Sequence, residues 1–267
     1  MTVPTTPVIW RDGRALAGQR AVAEEVPVAL VYDAATEAVM MATPADLEDF
    51  ACGFSLNEGL IAGIDDIARL DIVPADQGIE VRLWLKPERS QVMAARRRSR
   101  IGPTGCGLCG VESLEVAVRL RGAIAADLRL APDDVIAAVT ALEAGQVLGL
   151  QTRAVHGAGF WMPGEGPKTG LLMLREDVGR HNALDKLAGA LARNAIDPAG
   201  GAVVLTSRVS VEMVQKAVAM GSPVLIAISA PTALALEVAD RAGLTVIGIA
   251  RSDGFEVFTG GERLTLP

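Results

Sequence analysis

Apolar residues in the second half of the chain fall into short continuous runs separated by amphipathic stretches. The continuous runs predict buried strands at 170–174, 202–206, 223–228 and 244–249. The stretches between them have the three- and four-residue spacing of helices, predicted from about Arg180 and over 209–220 and 232–241. Strands and helices that alternate in this way form a mainly parallel sheet that is covered on both faces. We therefore predict an α/β domain over residues 131–267, opened by a helix from Pro132 to about Glu143 and closed by the strand at 244–249.

The first half of the chain has a different pattern. Apolar runs and strict alternation predict strands at 26–32, 37–42 and 79–85. Thr43 and Pro44 are typical of an N-cap and a first helical position, so a helix is predicted to begin there. We therefore predict a smaller α+β domain over residues 1–130, which ends in a cysteine loop at 99–110 and a connecting helix at 111–121.

The composition narrows the classes of partner. Half of the residues are hydrophobic but only 3 Trp, 1 Tyr and 5 Phe are present, so stacking platforms for single-stranded nucleic acid are not expected. The formal net charge of −7 also opposes binding to nucleic acid or to an anionic membrane. Residues 217–236 are uncharged, but Gly221, Pro223 and Pro231 divide them into helix end, strand and helix start, which argues against a membrane span. Glu24 interrupts the first apolar run, so no secretion signal is predicted and a cytoplasmic location is expected.

Two of the three cysteines lie in a glycine-rich segment. From Gly102 to Gly110 four of nine residues are glycine, and Cys106 and Cys109 lie three positions apart. So much glycine predicts a mobile loop in place of a helix or strand. Four arginines precede the segment, namely Arg96, Arg97, Arg98 and Arg100. Because nearby cations favour the thiolate form, the segment is predicted to carry a reactive dithiol.

Other interpretations of this cysteine pair remain open. A Cys-x-x-Cys metal knuckle would need two further ligands, for which the sequence offers Cys52, His156, His181 and carboxylates. A buried structural pair does not suit a glycine loop, and a disulfide between these cysteines would close too short a loop to stabilise the chain much. Cys52, in the predicted first helix, is interpreted as a small buried hydrophobe.

Polar residues follow each predicted strand of the second domain. Because the carboxyl ends of parallel strands meet at one edge of a sheet, these turns should lie together. Four arginines come to this edge in an otherwise acidic chain, namely Arg175, Arg180, Arg208 and Arg251. Guanidinium groups and helix N-termini together suit phosphate. We therefore predict a phosphate-bearing ligand at this edge, and expect a nucleotide.

The turn at 175–182 is the densest in functional groups, with two arginines, two acids, a histidine and an amide. Its further candidate ligand contacts are Asp177, His181 and Asn182, and the later turns add Ser207 and Ser229. His156, in a glycine-rich turn, is a weaker candidate. Simpler interpretations stay open for several neighbours. Helix capping would explain Ser207, Ser210, Ser229 and Thr232. A surface ion pair would explain Glu212 and Lys216, and a solvated helix face would explain Asp185 and Lys186.

Four stretches together resemble a known family. They are CGLCG at Cys106–Gly110, REDVGRHNALDK at Arg175–Lys186, SRVSVEM at Ser207–Met213, and FACGF at Phe50–Phe54 with Glu58 and Gly59. The resemblance is to the formate dehydrogenase accessory sulfurtransferases (FdhD), over about residues 26 to 255. The twelve-residue block is its most specific part.

The resemblance implies a sulfur carrier. Such a protein takes sulfur from a cysteine desulfurase as a cysteine persulfide and passes it to the bis(molybdopterin guanine dinucleotide) cofactor that formate dehydrogenase needs. It implies that Cys106 carries the persulfide. From the chemistry of two nearby thiols, Cys109 is expected to resolve the persulfide or to assist. It also implies a cofactor-binding segment, for which GDP-like nucleotides are mimics, at Ile249, Ala250, Arg251, Ser252, Asp253 and Gly254.

The resemblance further implies a cytidine-deaminase-like fold, a homodimer, and the cysteine desulfurase and the formate dehydrogenase catalytic subunit as partners. The sequence departs from the family at Gly105, where a small polar residue is expected, so the activation of Cys106 is expected to differ. Thr152–Phe160 matches the family's Thr-Gly-Gly-x-His segment only loosely, with His156 at its histidine. No His-x-Glu precedes the cysteines, so neither deaminase chemistry nor a resident metal is predicted.

The leading hypothesis is therefore a sulfur carrier for a molybdenum cofactor. Two alternatives belong to other classes of protein. One is a zinc-dependent nucleotide hydrolase that uses Cys106, Cys109 and a histidine. The other is a chaperone that binds and hands over the cofactor without covalent chemistry.

Overall fold

The chain begins with a β-hairpin, residues 1–23, which we call the N-terminal arm. The computed structural model describes residues 1–100, 120 and 122–266, with the backbone alone for 96–100. The strands of the arm are β1 (Thr2–Thr5), β2 (Val8–Arg11), β3 (Arg14–Ala17) and β4 (Arg20–Ala23). β1 pairs with β4 and β2 with β3 in one continuous register. Asp12 and Gly13 form the turn with positive φ values of 52° and 76°, as a tight two-residue hairpin requires.

A four-stranded sheet with one helix on it follows the arm. Its strands are β5 (Val26–Tyr32), β6 (Ala35–Ala42), β7 (Ile67–Ala75) and β8 (Gly78–Leu85), in the order β6-β5-β8-β7. The helices of this part are α1 (Leu47–Asn57) and α2 (Pro87–Arg100). The four arginines that precede the cysteine segment, at 96–98 and 100, therefore belong to the end of α2. The strands predicted at 26–32, 37–42 and 79–85 are confirmed. β8 buries Val81 and Leu83 as its alternation predicts, and they pack with Phe50 of α1.

The predicted start of α1 was wrong. The helix begins at Leu47, after Asp46 in the left-handed region with φ 51°. Thr43 does not cap this helix: its hydroxyl accepts from the N–H of Val178 at 3.2 Å, and its backbone N–H donates to a carboxylate oxygen of Asp177 at 3.0 Å. Thr43 is thus a buried contact with the second half of the chain.

A six-stranded sheet organises the second half. Its strands are β9 (His156–Met162), β10 (Gly170–Asp177), β11 (Ala202–Leu205), β12 (Val224–Ala227), β13 (Thr245–Arg251) and β14 (Gly254–Thr259). Their order is β10-β9-β11-β12-β13-β14. The helices are α3 (Pro132–Gly145), α4 (Val147–Thr152), α5 (Arg180–Arg193), α6 (Val211–Met220) and α7 (Ala233–Ala242). Aliphatic cores fill both faces, with Leu184 and Leu187 of α5 on one and Val139 and Leu142 of α3 on the other.

The prediction of a mainly parallel sheet was wrong, because the sheet is mixed. Only β11–β12 and β12–β13 are parallel, whereas β10–β9, β9–β11 and β13–β14 are antiparallel. The last predicted strand does not close the series, since β14 folds back on β13. The likeness to cytidine deaminases and the boundary between 1–130 and 131–267 stay predictions.

α1 and α5 cross at two glycines that join the halves of the chain. A Cβ on Gly53 would lie 1.7 Å from the carbonyl oxygen of Asp185, and one on Gly189 would lie 1.9 Å from that of Asp49. Both distances are impossible for real atoms, so the two backbones meet where only glycine fits. The small sheet and the large sheet are therefore held by direct contact between helices.

The uncharged run at 217–236 divides as predicted into the end of α6, strand β12 and the start of α7. Within the described ranges, 1–100 and 122–266, no helix is long and apolar enough to cross a membrane.

Candidate functional site

Four strands of the large sheet point their carboxyl ends to one edge, which we call the strand-end edge. β10, β11, β12 and β13 run in the same direction, and antiparallel β9 begins at this edge. The turns after the strands are tied together by backbone bonds from Ile228 N–H to Leu205 C=O at 2.9 Å and from Ile249 N–H to Ser229 C=O at 3.3 Å. The structure thus brings the sequence-predicted turns together, as expected for an open α/β sheet.

The carboxylate of Asp177 lies inside the protein and binds its own chain. It is fully buried, and it pairs with the ammonium of Lys186 at 2.7 Å. It also accepts from the N–H of Thr43, from the N–H of Gly179 at 2.8 Å and from the amide of Asn182 at 3.0 Å. Four donors saturate this carboxylate, so Asp177 fixes the turn before α5 and has no free oxygen lone pair directed at solvent.

Asn182 and Arg175 are likewise engaged within the protein. The Asn182 amide donates to the carbonyl of Met41 at 2.9 Å as well as to Asp177. The guanidinium of Arg175 pairs with Asp49 of α1 at 2.8 Å. These three side chains join β10 and α5 to β6 and α1, and their predicted contacts with a ligand stay predictions.

Two consecutive residues of α5 form buried ion pairs, so the predicted solvated helix face was wrong. Lys186 is wholly buried against Asp177 and donates to the carbonyl of Thr43 at 2.9 Å. Asp185, also buried, accepts from Lys216 at 2.7 and 2.9 Å and from Asn57 at 2.7 Å. Burial raises the pKa of Asp185, and the contacts with Lys216 and Asn57 oppose this rise. Lys216 therefore pairs with Asp185, and not with Glu212 as its spacing on α6 predicted.

Arg180 and His181 open α5 at the strand-end edge. Gly179 at the N-cap offers no side chain to the first-turn N–H groups. Among the described residues, the Arg180 Nε and His181 Nε2 atoms are buried and have no hydrogen-bond partner. Such unpaired atoms are unusual in the interior and mark a place where a ligand can bond. These two side chains are the best-placed candidates for contact with a bound molecule.

Burial lowers the pKa of His181 to about 4, and the positive charges of Arg180 and Lys216 add to the effect. Burial and Arg180 also lower the pKa of His156, which is the first residue of β9 and lies opposite Asp177. The glycine-rich turn predicted for His156 was wrong, but its place at the strand-end edge agrees with its candidacy. Both imidazoles are therefore uncharged at neutral pH.

The shift at His181 gives a pH dependence with a definite sign. The unfolded chain binds the proton near pH 6.5 and the folded chain only near pH 4, so acid favours unfolding in this interval. We expect the free energy of unfolding to fall from pH 6.5 to 4, and to fall less in His181→Gln. The chain has only 2 histidines, so their NMR signals can be assigned with His156→Gln. A His181 signal that titrates above pH 6 would contradict this prediction.

The later turns supply the outer part of the strand-end edge. Arg208 is exposed after β11, whereas Ser207 is buried and donates to the carbonyl of Arg208 at 3.1 Å. Thr232 caps α7 by accepting from Ala235 N–H, as predicted. Ser210 occupies the N-cap position of α6, but its side chain makes no capping bond. Ser207 and Ser229 precede no helix directly, so the predicted caps at these two residues were wrong.

The segment 249–254 ends β13 and turns into β14. Ile249 is exposed and has φ 52°, a left-handed conformation that is strained for a β-branched residue. The guanidinium of Arg251 donates to the backbone carbonyls of Ile228 and Ala250. Ala250 itself is buried. Ser252 and Asp253 are exposed between the paired residues Arg251 and Gly254. A strained, exposed bulge next to Ser229 is the kind of backbone feature that occurs at ligand-binding sites.

Sequence reasoning missed several residues that build this edge. Glu176 accepts from the N–H groups of Leu148 and Gly149 at 2.8 and 2.7 Å and so holds the start of α4. Thr43 and Asp49 reach the site from the first half of the chain. Only the density of charged residues in 175–182 indicated that partners should exist, and it did not identify them.

Of the predicted cysteine loop at 99–110, residues 99 and 100 belong to α2, which was not expected, and the rest, with Cys106 and Cys109, lies outside the described residues. Of the predicted helix at 111–121 only residue 120 is described, and it is not helical. Cys52 is buried in α1 as predicted, and burial raises the pKa of its thiol to about 11. Within the described part of the chain, no group of three His, Cys, Asp or Glu residues is arranged to hold a metal ion.

Comparison with known proteins gives a consistent result. The model of the FdhD/NarQ family matches residues 23–265. A protein of Agrobacterium fabrum named "Sulfur carrier protein FdhD" is 53% identical over 257 residues, 96% of this chain and 93% of the relative. A protein of the same name from Cupriavidus necator is 48% identical over 255 residues, 96% of this chain and 87% of the relative. A crystal structure described as a formate dehydrogenase accessory protein from Desulfotalea psychrophila aligns with a TM-score of 0.77 at 26% identity, and covers 98% of this chain and 99% of that one.

Proposed function

This chain belongs to the FdhD/NarQ family, and from that membership we propose that it carries sulfur to the molybdenum cofactor of a formate dehydrogenase. The observation that carries the proposal is the identity of about half of all residues with proteins named for sulfur carriage, over nearly the whole chain. A cysteine desulfurase is the proposed donor, and the bis(molybdopterin guanine dinucleotide) cofactor is the proposed acceptor. The expected cytoplasmic location is part of the same proposal.

Cys106 is the proposed carrier. Its thiolate attacks the outer sulfur of the donor's persulfide, so that a new S–S bond forms as the donor's S–S bond breaks and the donor thiolate leaves. The transferred sulfur keeps its proton. On delivery the Cys106 S–S bond breaks and its electron pair returns to the Cys106 sulfur as thiolate. A reduced metal centre of the acceptor would supply the two electrons that take the terminal sulfur to the sulfide level, and the proton of that sulfur would be released to solvent. Cys109, three residues later in the sequence, is the proposed resolving or assisting thiol.

The strand-end edge is the proposed acceptor site. The exposed guanidinium groups of Arg208 and Arg251 suit the phosphates of a guanine dinucleotide. The unpaired atoms of Arg180 and His181 lie at the N-terminus of α5, where the helix dipole favours an anionic group. In the segment Ile249–Gly254, the exposed residues Ile249, Arg251, Ser252 and Asp253 add to the same edge. We place the cofactor along this edge, with GDP as a mimic of its nucleotide ends.

Cys106→Ala is expected to abolish sulfur loading. After incubation with a cysteine desulfurase and cysteine, intact mass should show one added sulfur on the wild type and none on the variant. Cys52→Ala is the matched control, because that thiol is buried and protonated at neutral pH and should not compete. Equal persulfide on wild type and Cys106→Ala would remove the proposal.

A second measurement separates the carrier from a chaperone without covalent chemistry. In cells that lack the native protein, Cys106→Ala should fail to restore formate dehydrogenase activity yet bind GDP normally in titration calorimetry. Arg208→Ala should load sulfur normally and bind GDP more weakly. Full restoration of activity by Cys106→Ala would favour the chaperone, and stoichiometric zinc in the purified protein would favour a metal-dependent hydrolase.

A further inference from the structure

Three buried polar atoms without a hydrogen-bond partner gather where α5 and α6 begin. They are Nε of Arg180 and Nε2 of His181, in the first two residues of α5, and Oγ of Ser210, at the N-cap position of α6. Among the described residues the fourth such atom is Nε1 of Trp161, near the far end of β9. Because buried polar atoms are nearly always paired, three in one place indicate a site that a ligand completes. We call Arg180, His181 and Ser210 the inner donor cluster.

The fold holds the starts of α5 and α6 side by side. Each helix follows one of the strands β10 and β11, which run in the same direction. The ion pair between Asp185 of α5 and Lys216 of α6, at 2.7 Å, ties the two helices together. His181 precedes Asp185 by four residues and Glu212 precedes Lys216 by four, so both lie one turn nearer the helix starts on the faces that meet. The first turns of the two helices therefore border one gap at the strand-end edge.

The chemistry of the inner donor cluster suits an anionic group. The Nε–H of Arg180 can only donate, and the hydroxyl of Ser210 and the uncharged imidazole of His181 can each donate as well. No side chain caps the first turn of either helix, so the positive ends of both dipoles add to the field. Glu212 opposes an anion, since the nearby hydroxyl of Ser210 lowers the pKa of this carboxyl and keeps it charged. Its side chain is exposed, however, and solvent screens its charge.

The proposed acceptor has two anionic parts, and burial distinguishes the places where they fit. Phosphates are strongly hydrated and suit the exposed guanidinium groups of Arg208 and Arg251. The metal, with its oxygen and sulfur ligands, is the end that reacts, and a site that excludes water suits it better. The atoms of the inner donor cluster are the buried ones. Arg208 lies two residues before Ser210, so one elongated molecule can contact both places.

We propose that the inner donor cluster receives the metal-bearing end of the acceptor, while Arg208 and Arg251 hold its nucleotide ends outside. The identity of the acceptor rests on the proposed function, whereas the presence of an anion site separate from the nucleotide contacts rests on the cluster itself. Arg180, His181 and Ser210 donate hydrogen bonds to the oxygen or sulfur ligands of the metal and so orient them. No covalent step is assigned to these three side chains.

Inorganic molybdate, a tetrahedral dianion, is the probe of the inner donor cluster. We expect titration calorimetry to show that molybdate binds the wild type with and without saturating GDP, with dissociation constants that agree within about threefold. Arg180→Gln should raise the dissociation constant for molybdate at least about tenfold, because a charged donor is lost. Glu212→Gln should lower it about fivefold, because a nearby negative charge is removed. This second variant alters an exposed side chain and gains affinity, so misfolding cannot mimic its effect.

Two further variants and an NMR signal complete the test. Arg208→Ala should weaken GDP and leave molybdate within about threefold of wild type. The matched control for Arg180 is Arg241→Gln, an exposed arginine in the last turn of α7, which should change neither affinity. The imidazole signals of His181 should move when molybdate is added.

Competition between molybdate and GDP would place phosphate in the inner donor cluster and overturn the inference. So would the absence of molybdate binding at millimolar concentration, or a Glu212→Gln variant that binds molybdate no more tightly than wild type. Persulfide loading of Cys106 is measured on its own and uses no group of this cluster. Failure of the proposed function and failure of this inference therefore give different results.

Discussion

Lys186→Met is expected to lower the free energy of unfolding by about 3–5 kcal/mol, because it leaves the buried carboxylate of Asp177 without its cation. The remaining donors to Asp177 are neutral N–H groups, which stabilise an ion less than an ammonium at 2.7 Å does. Methionine is nearly as long as lysine, so the substitution leaves only a small cavity, and that cavity adds little to the loss of stability. Urea unfolding followed by circular dichroism measures the change through the transition midpoint.

The matched control is the double variant Asp177→Asn/Lys186→Met. It removes both charges, and the asparagine oxygen can still accept from Gly179 N–H. Because replacement of both partners of a buried ion pair by neutral groups is often tolerated, the double variant should recover a large part of the loss. A single variant within about 1 kcal/mol of wild type, or a double variant as unstable as the single, would show that the ion pair does not secure the turn before α5.

Gly189→Ala should have an effect of similar size through packing. Its new Cβ would lie 1.9 Å from the carbonyl oxygen of Asp49, so α1 and α5 must move apart. Alanine favours a helix over glycine by about 1 kcal/mol, and this gain opposes the damage. The separation of two packed helices outweighs it, and we expect a net loss of about 3 kcal/mol in the free energy of unfolding.

Gly53→Ala tests the same contact from the other helix, since its Cβ would lie 1.7 Å from the carbonyl of Asp185. Gly63→Ala serves as control, because nothing lies within 4 Å of the added atom. That control should stay within about 0.5 kcal/mol of wild type, as most surface changes do. If Gly189→Ala or Gly53→Ala were as stable as the control, the close approach of the two helices would be refuted.

The pattern of apolar residues along the chain predicted those strands and helices whose own residues determine their burial. The strands β11, β12 and β13 are continuous aliphatic runs, and their burial on both faces follows from that composition. β9 escaped prediction because Gly157 and Gly159 interrupt its pattern. A Cβ on Gly157 would lie 3.0 Å from the side chain of Gln146, so the glycine serves a packing partner that the local sequence does not reveal.

The turns predicted to meet at one edge of the sheet do meet there, but the roles of their residues depend on distant partners. The ammonium of Lys186 binds the carbonyl of Thr43, 143 residues away, and no local signal distinguishes such a lysine from an exposed one. The same holds for Arg175, whose partner Asp49 lies 126 residues away. The density of charged residues along 175–182 therefore predicted that this turn belongs to a site. Long-range contacts decided which of its residues hold the turn in place and which, like Arg180 and His181, keep unpaired atoms.

The contact between α1 and α5 limits how this protein can be recombined with its relatives. Chimeras that exchange the first half of the chain alone would pair one relative's α1 with another's α5. Gly53 and Gly189 would then have to be glycine in both parents, and Asn57 would have to meet a carboxylate at position 185. Any useful crossover must therefore transfer α1 and α5 together as one inherited block, although more than a hundred residues separate them in the sequence.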